Sequence, residues 1–290
     1  MTDLVSQGVF EHARPALLRL AHRMLGSLAD ADDILQEAFL RWLRTDHERV
    51  AAPTAFLRRT VMRLCLDRLK ANRRRREDYV GSWLPEPVLT SQDEEPDVTL
   101  PLLLALERLS PLERASFLLH DIFGLPFEEV ASAIDREPAT CRQLARRARE
   151  HVRAARPRYP IPKERGLEIA QAFFVASREG NMEQLRTLLR KDVTLYADGG
   201  GKVPARKTPA AGLSDVLKAF EAFAAIYAAS PSRLIQFGLI NGLPGFVTIE
   251  QNHILQTTAL GVDAEGIDAI YVVRNPDKLS RLQQAGGQDL

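Results

Sequence analysis

The chain has 290 residues, is 45% apolar and 27% charged, and carries a net charge of +1. That length predicts roughly two domains, and no apolar run approaches the roughly 20 residues that cross a bilayer. The start, MTDLVSQGVFEHARP, lacks a charged segment followed by an apolar stretch, so no secretory signal is read and a cytoplasmic location is expected.

In chain order, a helix is predicted over Phe10–Leu25, with Leu17, Leu20, Ala21, Met24 and Leu25 inward and Gly26–Ser27 ending it. Asp30 is the expected cap of a second helix, Ala31–Arg44, with Asp32 and Asp33 in the first turn, where the helix dipole favours acids. Ile34, Ala38, Phe39 and Trp42 share its inner face; Asp33, Gln36, Glu37, Leu40, Arg41 and Arg44 stay outside. After a break at Ala51–Thr54, Thr54 is expected to cap a long helix, Ala55–Arg76. Leu57, Val61, Leu64, Cys65 and Leu69 form its inner stripe; Arg59, Arg63, Leu66, Lys70 and Arg73/Arg74 form its outer one. Three such helices make a compact bundle.

The net charge hides a segregation. Phe56–Arg76 holds nine basic residues and one acid, Glu94–Asp97 adds three acids to Asp93, and Lys163–Leu290 has fourteen of each sign. This pattern points to a DNA-contacting front and a different module behind it. Residues 77–101 read as a linker with prolines at 85, 87, 96 and 101, and Trp83 in this polar tether is expected to dock.

Leu102–Leu109, Pro111–Phe123 and a helix–turn–helix over Pro126–Arg153 form a second helical domain. In the last helix Cys141, Leu144, Ala145, Ala148 and Val152 share one face and Arg142, Arg146, Arg149 and Arg153 the other, which suits a helix laid into a DNA major groove. A solvated arginine-rich surface helix is the alternative. Arg142, Gln143 and Arg146 are best placed for bases, and Arg147 and Arg149 for phosphate. Cys65 and Cys141 lie on apolar stripes and are expected as buried thiols. The six histidines form no HxxxH pair, so neither metal nor cofactor is expected.

Pro157, Pro160 and Pro162 mark another break. Beyond it come helices at Glu164–Ser177, Met182–Leu189 and Leu213–Tyr227. Strands are read at Val193–Tyr196, Leu234–Ile240, Gly245–Ile249, His253–Leu260 and Ile267–Val273. Helices followed by a strand meander predict an α+β domain with helices on one face of a curved antiparallel sheet.

Three stretches in the first half carry a family resemblance: DADDILQEAFLRW from Asp30, FLRRTVMRLCLDRLKANRRRR from Phe56, and LSPLERASFLLHDIFGLPFEEVA from Leu109. They resemble the extracytoplasmic-function (ECF) sigma factors over about residues 8–155. The whole chain is similar to the subgroup with a C-terminal SnoaL-like domain, through Trp83, Leu84 and Pro85 to Pro87 in the linker, Asp198–Gly199–Gly200–Gly201–Lys202, and Asn275–Pro276–Asp277–Lys278–Leu279. The resemblance implies a multidomain protein: two all-α domains, region 2 (1–80) and region 4 (102–157), a linker (81–101), and a SnoaL-like α+β cone domain (163–284). It implies a sigma factor that directs core RNA polymerase to promoters and is regulated from within by its last domain.

The partners implied are the polymerase β′ clamp and β flap and promoter DNA, with no membrane and an unknown small ligand left open for the last domain. Asp30, Asp32, Asp33, Gln36, Glu37, Leu40 and Arg41 would meet polymerase. Arg59, Arg63, Lys70, Arg73 and Arg74 would hold phosphates and Arg68 and Asn72 stand nearer the bases, with Thr140 joining the recognition helix. Phe56 and Tyr79 are the only nearby aromatics, so strand capture is expected in a loop pocket. Departures from the family are Asp135 for a common turn Gly, Pro126 for a capping Ser, and Leu144 for a recognition-helix Arg. A stand-alone DNA-binding regulator, or a cyclase-like enzyme using Asp198, His253 or Asp268, is the alternative, and the chain is read as not an enzyme.

Overall fold

The computed structural model describes residues 2–77, 79–90, 99–154 and 161–286, without the side chains of 2–6, 48, 72–77, 90, 154 and 284–286. The acidic run at 93–97 and the prolines at 157 and 160 lie outside the described residues. Two compact units emerge: residues 1–77 with 102–155, and residues 78–101 with 156–290. The segment that links the two helical halves thus belongs to the C-terminal unit.

In the first unit, α1 (Thr2–Leu25), α2 (Leu28–Leu43) and α3 (Pro53–Glu77) form one half. Helix α2 starts two residues before Asp30. Its cap is Ser27, whose hydroxyl accepts from the Asp30 amide at 3.2 Å. Ser27 fills the role expected of Asp30 because it stands three residues ahead of that amide, the spacing a cap requires. Likewise α3 begins at Pro53, ahead of Thr54; proline's missing N–H costs nothing in a first turn.

The other half is α4 (Leu100–Glu107), α5 (Pro111–Phe117) continuing through a π-helical stretch at Leu118–Ile122, α6 (Phe127–Ile134) and α7 (Pro138–Ala154). Ser110 and Glu113 close a capping box on α5. Asp135 takes the left-handed conformation (φ 56°) at the end of α6, which its short polar side chain tolerates. Pro126 precedes α6 without a side-chain cap.

One apolar core runs through both halves. Met62 and Leu66 of α3 are buried in it, so Leu66 does not belong to the exposed stripe that periodicity assigned it. The reason is tertiary: α3 packs against α6 as well as against α1 and α2. A polar tie accompanies that packing. Arg114 of α5, 2% exposed, donates from Nη1 to the carbonyl of Met24 (2.5 Å) and to Glu107 (3.0 Å).

The second unit is α+β. Helices α8 (Lys163–Glu179), α9 (Met182–Leu188) and α10 (Leu213–Ala229) pack on a seven-stranded sheet, and α11 (Pro276–Gly286) follows the last strand. The strands are β1 (Leu89–Thr90), β2 (Leu189–Asp198), β3 (Ala210–Ala211), β4 (Arg233–Ile240), β5 (Leu243–Glu250), β6 (Ile254–Asp263) and β7 (Gly266–Val273), in the order β1-β4-β5-β6-β7-β2-β3. Strands β4 to β7 form the expected antiparallel meander, but β2 pairs with β7 in parallel. The sheet is therefore mixed, not antiparallel throughout. Strand β2 precedes the meander and meets its far edge without a hairpin, so no turn dictates its direction. The register Asp198↔Val273 follows, and it brings the loops after β2 and β7 to one end of the sheet. Linker residues Leu89–Thr90 add the edge strand next to β4.

Candidate nucleic-acid and polymerase surfaces and the linker clasp

On α2 the residues expected to meet polymerase fall on the solvent side. Asp33, Gln36, Glu37, Leu40 and Arg41 are exposed, Leu40 at 53% with Leu43 beside it at 42%. Arg41 bonds Glu37 at 2.7 Å within the helix. Asp30 and Asp32 are half-buried, and Asp30 pairs with Arg68 of α3 at 2.7 Å. A candidate polymerase acid and a candidate base-reading arginine thus neutralise each other across the bundle, with Asp33 3.8 Å from the same guanidinium. On α3, Arg63 and Lys70 are exposed and Arg59 is half-buried beside the Phe56 ring. The side chains of Asn72, Arg73 and Arg74 lie outside the described residues.

Helix α7 separates its faces cleanly. Cys141, Ala145, Ala148 and Val152 are buried, while Thr140, Arg142, Gln143, Arg146 and Arg147 are exposed. Burial raises the Cys65 and Cys141 thiols above their ordinary pKa. Arg142 lies over Phe127 (5.8 Å), Arg146 pairs with Glu150 (3.4 Å), and half-buried Arg149 pairs with Asp121 of the π-helical stretch (2.6 Å). Arg149 is the less exposed of the two paired arginines and its pair reaches a different element, whereas the Arg146 pair stays within α7.

In the second unit the three subgroup motifs converge on one carboxylate. Asp198, fully buried, accepts from the Tyr79 hydroxyl and the Gly200 amide on one oxygen. On the other it accepts from the Leu84 amide (2.9 Å) and the Lys278 ammonium (2.7 Å). Lys278 also donates to the Leu84 carbonyl (2.5 Å) and lies 4.1 Å from the Trp83 ring centre and 5.0 Å from that of Tyr79. Asn275 donates to the Tyr79 oxygen (2.9 Å) and accepts from the Asp277 amide, starting α11. Asn275–Leu279 thus opens a helix directly after the last strand. Lys202 and Asp277 make an exposed pair at 2.6 Å that joins the two loops.

Gly200 has φ 61°, and a Cβ there would stand 2.3 Å from the Asn275 amide nitrogen, so the loop needs glycine for both reasons. Leu84, Pro85, Glu86 and Pro87 are buried, Leu279 is buried, and Pro276 and Trp83 are partly so or lie at the rim.

Sequence reasoning missed two members of this clasp. Tyr79, noted only as one of two aromatics near the basic helix, seals Asp198. Asn241, which stands before Gly242 at a turn, also holds the linker backbone: its side chain bonds the Val88 amide (2.5 Å) and the Glu86 carbonyl (3.1 Å), and its own carbonyl takes the Leu100 amide (2.8 Å). An asparagine preceding glycine gave a turn signal and no hint of the second duty.

The residues weighed as catalytic do not meet. Asp198 is consumed by the clasp, His253 is exposed in a short 3₁₀ turn, and Asp268 is half-buried on β7. None of the three lines the cavity, about 370 Å³, between the sheet and helices α8 and α10.

The Sigma-70 region 2 family matches residues 9–75 and the Sigma-70 region 4 family residues 99–152. The chain is 36% identical to the ECF RNA polymerase sigma factor SigJ of Mycobacterium tuberculosis, covering 93% of this chain and 92% of that one. It is 31% identical to the probable ECF sigma factor SigI of the same species, covering 94% and 95%. The crystal structure of M. tuberculosis SigJ superposes with a TM-score of 0.73 at 33% identity, covering 93% of this chain and 97% of that one. The chain belongs to the ECF RNA polymerase sigma factors.

Proposed function

We propose that this sigma factor docks on the polymerase β′ clamp through the outer face of α2, places α7 in the upstream promoter major groove with region 4 on the β flap, and uses α3 at the melted element. It would work in the cytoplasm, where polymerase is. Exposed leucines beside exposed carboxylates on α2 support the docking surface, because surface ion pairs alone contribute only about 0–1 kcal/mol each.

The C-terminal unit is read as an internal regulator that acts by gripping the tether between regions 2 and 4. The buried Asp198–Lys278–Leu84 clasp carries this reading. Size gives it a consequence. A compact unit of about 130 residues has a radius of gyration near 14 Å. The minus-ten and minus-thirty-five promoter elements that the family resemblance implies lie about 25 base pairs apart, roughly 85 Å at about 3.4 Å per pair. Regions 2 and 4 sharing one core cannot reach both, so the unit must open, and a tether held at one end of a sheet limits how far. Burial of Arg114 against Met24 supports a closed resting form.

Run-off transcription with purified core polymerase tests both parts. Full-length protein, a chain ending at Arg156 and one ending at Asn275 are expected to differ from one another in promoter activity, because the shorter truncation frees the tether while the longer one removes only Lys278 and α11. Equal activity of all three counts against internal regulation, and no promoter-dependent transcript from any of them counts against the docking assignment.

A further inference from the structure

The cavity of the C-terminal unit is unused by the clasp and carries its own chemistry. It lies between the sheet and two helices, and its volume of about 370 Å³ is in the range of small-molecule sites. Alternate residues of β2, β6 and β7 face it, among them Ala197, Thr258 and Val272, as the period of two in strands requires. Aromatic rings close the helix side: Phe173 of α8 and Phe220, Phe223 and Tyr227 of α10. Such walls suit an apolar body.

The charged groups are asymmetric. The lining has three guanidinium groups, Arg178, Arg206 and Arg274, against one carboxylate, Glu250. Glu250 is already engaged by Arg178 (2.7 Å), Thr248 (2.7 Å) and Ser232 (2.5 Å), so its charge is satisfied. Arg178 lies over Tyr227 at 4.0 Å and is likewise committed. Arg274 is different. Its Nη1 donates to the Pro204 carbonyl (2.8 Å), no carboxylate pairs with it among the described residues, and its buried Nε has no hydrogen-bond partner there. Burial lowers its pKa from the ordinary arginine value, yet a guanidinium remains charged at neutral pH. Arg274 is half-buried and feels Glu250 only through space, so its unpartnered Nε keeps a donor that an incoming anion would use.

We propose that this cavity binds a small amphipathic anion, a carboxylate on an apolar or aromatic body, with Arg274 as the anion anchor and the phenylalanine wall as the seat of the body. Glu250 disfavours a second negative charge near Arg178, so a monoanion is specified. The position gives binding a route to the clasp. The Arg274 amide donates to the Asp198 carbonyl (2.8 Å), and Ala197 in the cavity wall immediately precedes Asp198. Binding itself does not depend on the regulatory reading.

The test is calorimetric titration of the full-length protein with decanoate and naphthalene-2-carboxylate, each against its uncharged primary amide. At least one acid is expected to bind, and its amide at least tenfold more weakly, since bonds to a charged acceptor are about twice as strong as neutral ones. Arg274→Gln is expected to remove that preference while leaving amide binding in place. Phe223→Trp, which fills the cavity without altering charge, is expected to abolish binding of both, with circular dichroism melts verifying each fold. Equal binding of acid and amide by the unaltered protein overturns the proposal. So does failure of both acids to bind at millimolar concentration, or an unchanged acid affinity in Phe223→Trp.

Discussion

The arginine row of α7 and the carboxylate of Asp198 are both places where charge is gathered for use, and they are built in opposite ways. On α7, Arg142, Arg146 and Arg147 stand in water, and the Arg146–Glu150 pair spans 3.4 Å with both side chains mostly exposed. Such a pair is worth about 0–1 kcal/mol and yields readily to a phosphate. Asp198 is fully buried and saturated by four donors, three of them from other segments of the chain. Breaking a buried pair by removing one partner costs about 3–5 kcal/mol. The first surface is open to solvent; the second already holds the linker backbone. Surfaces that exchange partners stay wet, and a contact that must persist is dry.

The largest effect is expected on the exposed face of α2. Reversing two outward charges, Asp33→Arg with Glu37→Arg, should abolish co-purification with core polymerase, while the melting temperature of the bundle stays near that of the unaltered protein. Both side chains are exposed, although Asp33 lies 3.8 Å from Arg68. Retention of polymerase at the original level would move the docking surface elsewhere.

Next in size is the clasp. Asp198→Asn removes the carboxylate charge from the buried pair with the Lys278 ammonium, 13% exposed. The expected outcome is about 3–5 kcal/mol less free energy holding the linker. Hydrogen exchange is the measurement: amides of residues 79–88, the Leu84 amide above all, should lose protection while those of α5 keep theirs. Unchanged protection would mean that the apolar seats of Leu84 and Pro85 hold the tether unaided.

How far the sequence reveals each region follows the same division. The α7 faces were legible because helical periodicity alone separates Cys141, Ala145 and Ala148 from Arg142, Arg146 and Arg147. The clasp motifs were legible as motifs, but their meeting was not. It depends on β2 running parallel to β7, which places Asp198 beside Val273 and so beside Asn275. An antiparallel pairing would put the two loops at opposite ends, and no local signal distinguishes the two. Leu66 was misplaced for a related reason: on an arginine-rich stripe it reads as exposed, and only the packing of α3 on α6 buries it. Local propensity registers periodicity and caps, while contacts between distant segments are set by topology.

On the recognition helix the expected effects are smaller and differ in kind. Arg142→Ala should relax selectivity at one upstream promoter position by about 1–3 kcal/mol. Arg147→Ala should weaken all sequences alike and reduce the salt slope by about one unit. Binding titrations over a set of single-base promoter variants at several salt concentrations separate the two. A uniform loss in both mutants would remove the distinction between base and phosphate roles.

The smallest effect concerns pH and tests whether the clasp is as dry as its geometry. Burial, and then its hydrogen bond to Asp198, pushes the Tyr79 phenol above its ordinary pKa of 10.0. The sign follows from linkage. With the folded pKa raised, the unfolded or undocked tyrosine ionises first, so the contribution of Tyr79 is complete below about pH 10 and declines as pH rises beyond it. Each pH unit in that window removes at most about 1.4 kcal/mol for one proton. Tyr227 is also raised by burial and drives stability in the same direction, so absolute curves are not diagnostic. The difference between the unaltered protein and Tyr79→Phe is, because Tyr227 contributes equally to both. At neutral pH the phenylalanine variant should be less stable by about 1.5–3 kcal/mol, the worth of a hydrogen bond to a charged group. That gap should narrow between about pH 10 and 11.5 as the phenol of the unaltered protein comes under pressure to ionise. Urea denaturation followed at the Trp83 ring, at half-unit pH steps, measures it. A gap that stays constant through the window would mean that water reaches the Tyr79–Asp198 bond, and that the clasp resembles the wet surface of α7 more than its burial implies.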